Sequence, residues 1–243
     1  MEPPSRGSLV VLASRCLLAL GAMPSPATAT PVPLATYSLS VQVDQAPAQT
    51  ISNTVVPNTV ASIIQSGTND SGAQYTFRAL ASTFTPLFVQ VQGDVDAPAL
   101  APSSVVALFV SSSISYYVRV VQTAPAPADV VPLVIQTTLH ADASATGSGD
   151  ANPVMASFEI PNLNIFDSEV ANCSAAGCTS PSEMSFTNLA TATAGQDIQV
   201  IIGATGTATA FGAPDCCTGH ATFQAIADLL PKSATAETRL QRL

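Results

Sequence analysis

The stretch "TYSLSVQVD", residues 36 to 44, shows the pattern that decides the fold. Every second residue from Tyr37 to Val43 is apolar or aromatic, and the residues between them are Ser or Gln. Successive side chains of a strand point to opposite faces of a sheet. This alternation therefore predicts a strand with one face in a core and the other toward water.

Similar strand-like segments return along most of the chain, separated by turn-forming segments rich in Gly, Pro, Asp and Ser. The predicted strands are residues 36–44, 73–81, 86–95, 104–112, 113–122, 130–144, 155–160, 184–194, 197–211 and 220–227. The predicted turns are residues 66–72, 93–102, 123–129 and 145–153. This spacing predicts an all-β fold, an antiparallel β-sandwich or jelly-roll of about ten strands.

The composition favours strands over helices. Of the 243 residues, 47% are hydrophobic, which is enough to bury a core. Only 9% are charged, whereas a typical soluble domain has about 25%. Surface helices usually carry many Glu and Lys residues, so this chain has few of the residues that helices need. The 19 Pro residues also disfavour long helices.

The charge of the chain excludes two classes of partner. Between residues 30 and 231 the only basic residues are Arg78 and Arg119, against fourteen acidic residues, which gives a formal charge of −12. Proteins that bind nucleic acids or anionic membranes do so through patches of Lys and Arg. We therefore expect this part of the chain to bind neither.

The N-terminus predicts export. Arg6 and Arg15 precede the apolar run "CLLALGAM" (16–23), and a small-residue cleavage pattern follows at Ala27 to Ala29. The alternative is a short buried helix, and the run is too short to span a membrane. We expect a signal peptide at 1–29, a β-sandwich domain at 30–231 and a flexible tail at 232–243. The mature protein would be secreted, in the extracellular space or on the cell surface.

Four cysteines remain after removal of the predicted signal peptide: Cys173, Cys178, Cys216 and Cys217. Export to an oxidising compartment predicts disulfides. The adjacent pair lies in "PDCCTGH" (214–220), where a direct bond is disfavoured because neighbouring Cα atoms lie only about 3.8 Å apart. The sequence therefore favours two bridges between the 173–178 and 216–217 segments, with a local Cys173–Cys178 bond as the main competitor. Neither a zinc site that includes His220 nor a Cys-x-x-Cys redox centre matches the spacing.

Several other polar residues are candidates for chemistry, each beside a simpler explanation. Loop oxygens of Asp94, Asp96, Asp142 and Asp150 are candidate calcium ligands, although Asp is also common in ordinary turns. Glu159, Glu169 and Glu183 are the only Glu residues between 30 and 231, which leaves few partners for a paired-carboxylate hydrolase. His140 and His220 occur without a nucleophile or zinc motif.

Aromatic residues do not predict a sugar-binding platform. The chain has no Trp and only four Tyr residues: Tyr37, Tyr75, Tyr116 and Tyr117. Tyr116 and Tyr117 are adjacent, so in a strand one of them faces outward. A single exposed Tyr is a weak surface for stacking on sugar rings, and core packing explains these residues more simply.

The N-terminal signal, the Ser/Thr/Ala/Val-rich strands and "GATGTATAFG" (203–212) before the last strand resemble the secreted bacterial exoproteins that end in a PEP-CTERM sorting tail. The resemblance is compositional and covers most of residues 36–230. It implies a β-rich body exported toward the cell surface or an extracellular matrix. The chain departs from that family after Pro231, where it has no Pro-Glu-Pro motif and no apolar run. No functional residue is carried over.

Together these features predict an exported, non-enzymatic β-sandwich protein in a structural or adhesive role at the surface or in the matrix. Its partner would be extracellular, and no catalytic residue, metal or cofactor is assigned. The alternative is a calcium-dependent carbohydrate-binding module, or a secreted hydrolase, that uses loop Asp residues.

Overall fold

The computed structural model describes residues 35–54, 59–84, 87–99, 103–122, 130–179, 182–214, 216–230 and 238–242. All of these residues belong to one compact unit, Val32–Leu243. The predicted signal peptide, residues 1–29, lies outside the described residues, and so does the predicted turn at 123–129.

The described residues form fourteen strands, and their only helix is a 3-10 turn at Pro161–Leu163. The first seven strands are β1 (Thr36–Val43), β2 (Gln49–Thr54), β3 (Val60–Thr68), β4 (Gln74–Ser82), β5 (Leu87–Ala97), β6 (Ser104–Gln122) and β7 (Val130–Gly147). The remaining seven are β8 (Gly149–Ile160), β9 (Ile165–Ser174), β10 (Gly177–Cys178), β11 (Ser182–Thr193), β12 (Asp197–Gly212), β13 (Gly219–Leu230) and β14 (Thr238–Arg242). In this part of the chain, no helix is long and apolar enough to cross a membrane.

The strands form two antiparallel sheets, which confirms the all-β sandwich. Sheet A runs β10-β9-β8-β12-β6-β1-β2, with β14 beside the end of β6. Sheet B runs β11-β7-β13-β5-β4-β3. The two sheets lie face to face, since β12 packs on β5 and β13, and β8 packs on β13 and β7.

Alternating side chains build the core between the sheets, as the sequence pattern predicts. In β5, Val89, Val91 and Val95 are fully buried, while Gln92 between them faces water. Much of the core consists of small and β-branched residues, which lets the two sheets approach closely.

One aromatic ring is enclosed by glycines of both sheets. Phe223, in β13, is only 2% exposed. It lies opposite Gly93 of the neighbouring strand β5, and its ring also contacts Gly206 of β12 in the other sheet. A Cβ atom at either glycine would overlap the ring, and at Gly93 it would also lie 2.8 Å from Leu108. The two glycines therefore make the space that the ring fills.

A polar network joins the sheets at one end of the sandwich. The Asp44 carboxylate accepts a hydrogen bond from the Ala107 backbone N–H at 2.8 Å and another from the Asn69 amide at 2.8 Å. The Asn69 amide also donates to the Val105 carbonyl at 2.6 Å, and the Ser71 hydroxyl donates to the same carbonyl at 2.9 Å. The turn after β1 and the turn after β3 are thus both tied to the start of β6.

The structure differs from several predicted boundaries. Residues 104–112 and 113–122 were expected as two strands, but they form the single nineteen-residue strand β6. The predicted turn at 145–153 is a single residue, Ser148. It connects the end of β7 in sheet B to the start of β8 in sheet A. Gly147 adopts a left-handed φ of 61° at this corner, and a side chain there would meet the Thr218 carbonyl.

Some strands carry no clear sequence pattern. In β9 the inward-facing positions include Asp167 and Glu169, so apolar and polar residues do not alternate. The Asp167 carboxylate accepts a hydrogen bond from the Asn188 amide of β11 at 2.5 Å, which satisfies it at the edge of the core.

The tail, expected to be flexible over 232–243, contributes β14 at Thr238–Arg242, paired with β6.

Candidate functional site

The structure pairs the four cysteines locally, so the prediction of two bridges between the segments is wrong here. Cys173 bonds to Cys178, and Cys216 bonds to Cys217. The physical reason for the first pair is strand register. Residues 175–176 form a tight turn that places Cys173 and Cys178 directly opposite each other, with their Cα atoms 3.9 Å apart. The register of β9 with β10 therefore favours the local Cys173–Cys178 bond, which the sequence had left as the main alternative.

The "PDCCTGH" segment is the connection between β12 and β13. Backbone hydrogen bonds between Ala213 and Cys217, 2.9 and 3.2 Å long, close this loop. His220 follows inside β13, opposite Asp96 of β5. Among the described residues, no three His, Cys, Asp or Glu side chains converge as metal ligands would.

The candidate calcium ligands lie in strands rather than in loops, and the structure does not bring all four together. Asp94 and Asp96 are in β5 and Asp142 is in β7, all on the outer face of sheet B. Asp150 is in β8, on the outer face of sheet A. The segments "GDVDAP" and "ATGSGDANP" have turn-like compositions, but most of their residues belong to strands β5, β7 and β8.

A shallow depression on the outer face of sheet B contains Asp94 and Asp96. It is also lined by short polar side chains of β3 and β4, whereas the ring of Tyr75 lies on the inner face of the sheet, on the same side as Phe77. Tyr75 stacks on Phe77 with ring centroids 6.1 Å apart, and Phe77 belongs to the core. The tyrosine ring therefore serves mainly to cover the core.

A second depression on the same face gathers His140, Glu183 and Asp228, with Thr138 and Ile226 beside them. Glu183 of β11 lies directly opposite His140 of β7, a pairing that only the strand register reveals. Partial burial raises the pKa of the Asp228 carboxyl. Its Oδ1 atom is buried and has no hydrogen-bond partner among the described residues. The three groups line the same shallow depression, but they do not converge as metal ligands would.

The two adjacent tyrosines divide between the faces of β6. Tyr116 is 6% exposed and points into the core, whereas Tyr117 lies on the outer face of sheet A. One exposed Tyr does not form a stacking platform, and none of the other aromatic rings among the described residues stacks on it.

The outer face of sheet A has a group of neighbouring, uncharged hydroxyl side chains. The composition of the chain alone does not predict this group, because it depends on strand pairing. Strand register aligns side chains of β2, β1, β6 and β12 in two rows. One row is Ser52, Ser38, Ser113 and Gly203, and the other is Thr50, Ser40, Ser111 and Thr205. We call these eight residues the hydroxyl face. Neighbouring positions lie about 4.8 Å apart across strands and about 6.7 Å apart along them.

The chemistry of the hydroxyl face is neutral. Ser40 and Thr50 share a hydrogen bond of 3.3 Å. Beyond the two rows, toward one end of β6 and β12, Arg119 and Asp197 form a two-point ion pair with bonds of 2.7 and 2.8 Å. This pair cancels its own charge, and the Arg119 hydrogen bonds lower the pKa of the Asp197 carboxyl. The face thus offers hydrogen-bond donors and acceptors without net charge.

Comparison with known proteins gives no further assignment: no protein-family model matches the chain, and no curated protein matches it.

Proposed function

We propose that this protein is an exported, non-enzymatic β-sandwich that acts at the cell surface or in the extracellular matrix, in a structural or adhesive role. The observation that supports the proposal best is the hydroxyl face. It displays seven hydroxyl side chains in two rows across four strands. Its ligand would be a neutral, hydroxyl-rich polymer of the matrix.

Charge explains why such a face suits a neutral polymer. Residues 30–231 have a formal charge of −12, so an acidic polymer would be repelled. The two rows contain no charged residue and only short side chains. Short side chains lose little rotamer freedom when a ligand orders them. Many weak hydrogen bonds over a wide area then add up to useful adhesion.

Binding of the mature protein to insoluble neutral polysaccharide tests this role. Cellulose and the matrix polysaccharide of the producing cells are the probes. Ser38→Glu and Ser113→Glu place charges in the middle of the hydroxyl face, and we expect each to weaken binding about tenfold, or about 1.4 kcal/mol. Thr222→Glu, on the outer face of sheet B, is the matched control. Equal loss in all three variants, or no binding by the unaltered protein, would refute the adhesive role.

Cell fractionation tests the export part separately. We expect the protein in the culture medium or on the surface, with an N-terminus near residue 30. A protein that stays inside the cell and begins at Met1 would contradict it.

A second candidate, a calcium-dependent carbohydrate-binding module, is favoured by one observation. Asp94 and Asp96 line the same shallow depression. If they hold calcium, a chelator will lower the unfolding midpoint and added calcium will restore it. An unchanged midpoint, which we expect, removes this candidate.

A further inference from the structure

The two outer strands of sheet B lack the usual protection of sheet edges. In the described part of the chain, β11 pairs only with β7, and β3 pairs only with β4. Both pairings continue without a bulge, over twelve residues in β11 and nine in β3. Natural sheets protect such edges with Lys, Pro or bulges. Neither strand has any of these, and Glu183 is the only charged residue in the two strands together.

The most exposed large apolar side chains lie on these same two strands. Among the described residues, Leu189 of β11 is 80% exposed and Ile64 of β3 is 64% exposed, the two highest values for large hydrophobic residues. Leu189 is opposite Val134 of β7, and Ile64 is opposite Arg78 of β4, so both lie on the outer face of sheet B. Each sheet edge thus combines backbone groups that pair with no other described strand with exposed apolar side chains, of which Leu189 and Ile64 are the most exposed.

Strand direction makes the two edges complementary. Sheet B has six strands, and each neighbouring pair is antiparallel, so β11 and β3 run in opposite directions. A second molecule in the same orientation therefore presents its β3 antiparallel to β11 of the first. When Leu189 faces Ile64, Thr191 faces Ser62 and Thr187 faces Ser66. Val60–Thr68 then pairs along its full length, and hydroxyl groups face hydroxyl groups.

We propose that copies of this protein associate head to tail through sheet B, with β11 of one molecule pairing with β3 of the next. Each edge strand thus pairs with a strand of a second copy of the same chain. Because the two contacting surfaces differ, the contact leaves a free edge at each end, and growth is open-ended. Sheet twist would make successive molecules rotate about the growth axis. The inference rests on the sheet edges alone and does not depend on the adhesive role.

Charge predicts how the assembly responds to salt. The body is strongly acidic, so whole molecules repel one another, while the contacting strands are nearly neutral. Screening by salt removes the long-range repulsion and leaves the local backbone pairing. Association should therefore strengthen as ionic strength rises, which is opposite to the behaviour of an assembly held by salt bridges.

The test uses the mature protein with Leu189→Lys and Ile64→Lys, followed by sedimentation velocity and electron microscopy. We expect the unaltered protein to form open-ended oligomers and each variant alone to be monomeric, because every contact needs both edges. An equimolar mixture of the two variants should form a one-to-one pair, since one intact edge remains on each. Val105→Lys, on the central strand β6, is 51% exposed in the unaltered protein and serves as the matched control that still assembles.

Three outcomes overturn the proposal: a monomeric unaltered protein, assembly unaffected by either lysine, or a dimer that survives Ile64→Lys. The last would mean that β11 pairs with itself. Unfolding midpoints establish that the variants are folded. If a lysine at an apolar position unfolds the protein, Thr187→Lys and Ser66→Lys put the same charge on the same edges at positions already polar.

Discussion

The ring of Phe223 gives the sharpest test of how the two sheets fit together. Gly206→Ala adds one methyl group to β12 on the side that faces the ring. The ring cannot move away easily, because Gly93 of its own sheet lies against it as closely. Overpacking of this kind costs about 1–3 kcal/mol. An alanine in place of a strand glycine returns about 0.5–1 kcal/mol, so we expect a net loss of about 1 kcal/mol.

A matched control lies three residues away on the same strand. Gly203 faces outward, and a Cβ there would meet only the Ser157 hydroxyl oxygen, 2.9 Å away at the end of a rotatable side chain. Gly203→Ala should therefore keep the gain of about 0.5–1 kcal/mol that replacing a strand glycine gives, and it should be no less stable than the unaltered protein. The two substitutions are chemically identical, so their difference isolates the contact with the ring.

Urea unfolding measures the effect, and a double-mutant cycle identifies its cause. With an m-value of about 2 kcal/mol/M, a loss of about 1 kcal/mol moves the midpoint by about 0.5 M. Phe223→Leu shortens the side chain and should relieve the overlap, so the double variant should be at least about 1 kcal/mol more stable than the sum of the single effects predicts. If Gly206→Ala matches Gly203→Ala, or if the two core changes add, the enclosed-ring explanation is wrong.

Three further predictions concern other features of the sandwich. Asp44→Ala should cost about 2 kcal/mol in urea unfolding, because two donors lose a charged acceptor; a loss below about 0.5 kcal/mol would show that the network does not stabilise the sheets. Partial burial raises the pKa of Asp228 in the folded state, so its ionisation lowers stability as pH rises through the interval between its unfolded and folded values. Asp228→Asn should therefore stabilise the protein at neutral pH, by at most about 1 kcal/mol because the group is partly solvated, and this gain should vanish below the unfolded pKa of about 3.9; a gain that persists in strong acid would refute this cause. Reduction should cost only about 2 kcal/mol, because Cys173–Cys178 closes a short loop, and non-reducing peptide mapping that joins either of these cysteines to Cys216 or Cys217 would contradict the local pairing.

The sequence predicted the fold wherever one face of a strand is apolar and the other polar. Residues 36–44 and 220–227 follow that rule, and they match β1 and β13 closely. The rule failed for β9, where Asp167 points inward and is satisfied by Asn188 of a distant strand. It also failed for the edge strands β2 and β3, which have little core to face and hence little apolar pattern.

The candidate sites were less predictable, because they depend on which strands become neighbours. The hydroxyl face requires β1 beside β6 and β6 beside β12, pairs that are far apart in the chain. The His140–Glu183 pair likewise depends on the register of β7 with β11. The Cys173–Cys178 pairing depends on the two-residue turn between β9 and β10. The polar and small residues around this turn do not have a pattern that predicts a hairpin.

The position of β13 has a consequence for the order in which the protein matures. Among the described strands this is the last long one, yet it lies in the middle of sheet B, between β7 and β5. Until residues 219–230 are available, β7 and β5 have a gap between them, and most of the core facing β12 is open. Contacts between segments so far apart form slowly, because long loops must close first. If the chain is exported from its N-terminus, as we propose, it would thus remain unfolded for most of its passage and become compact only when its final segment arrives.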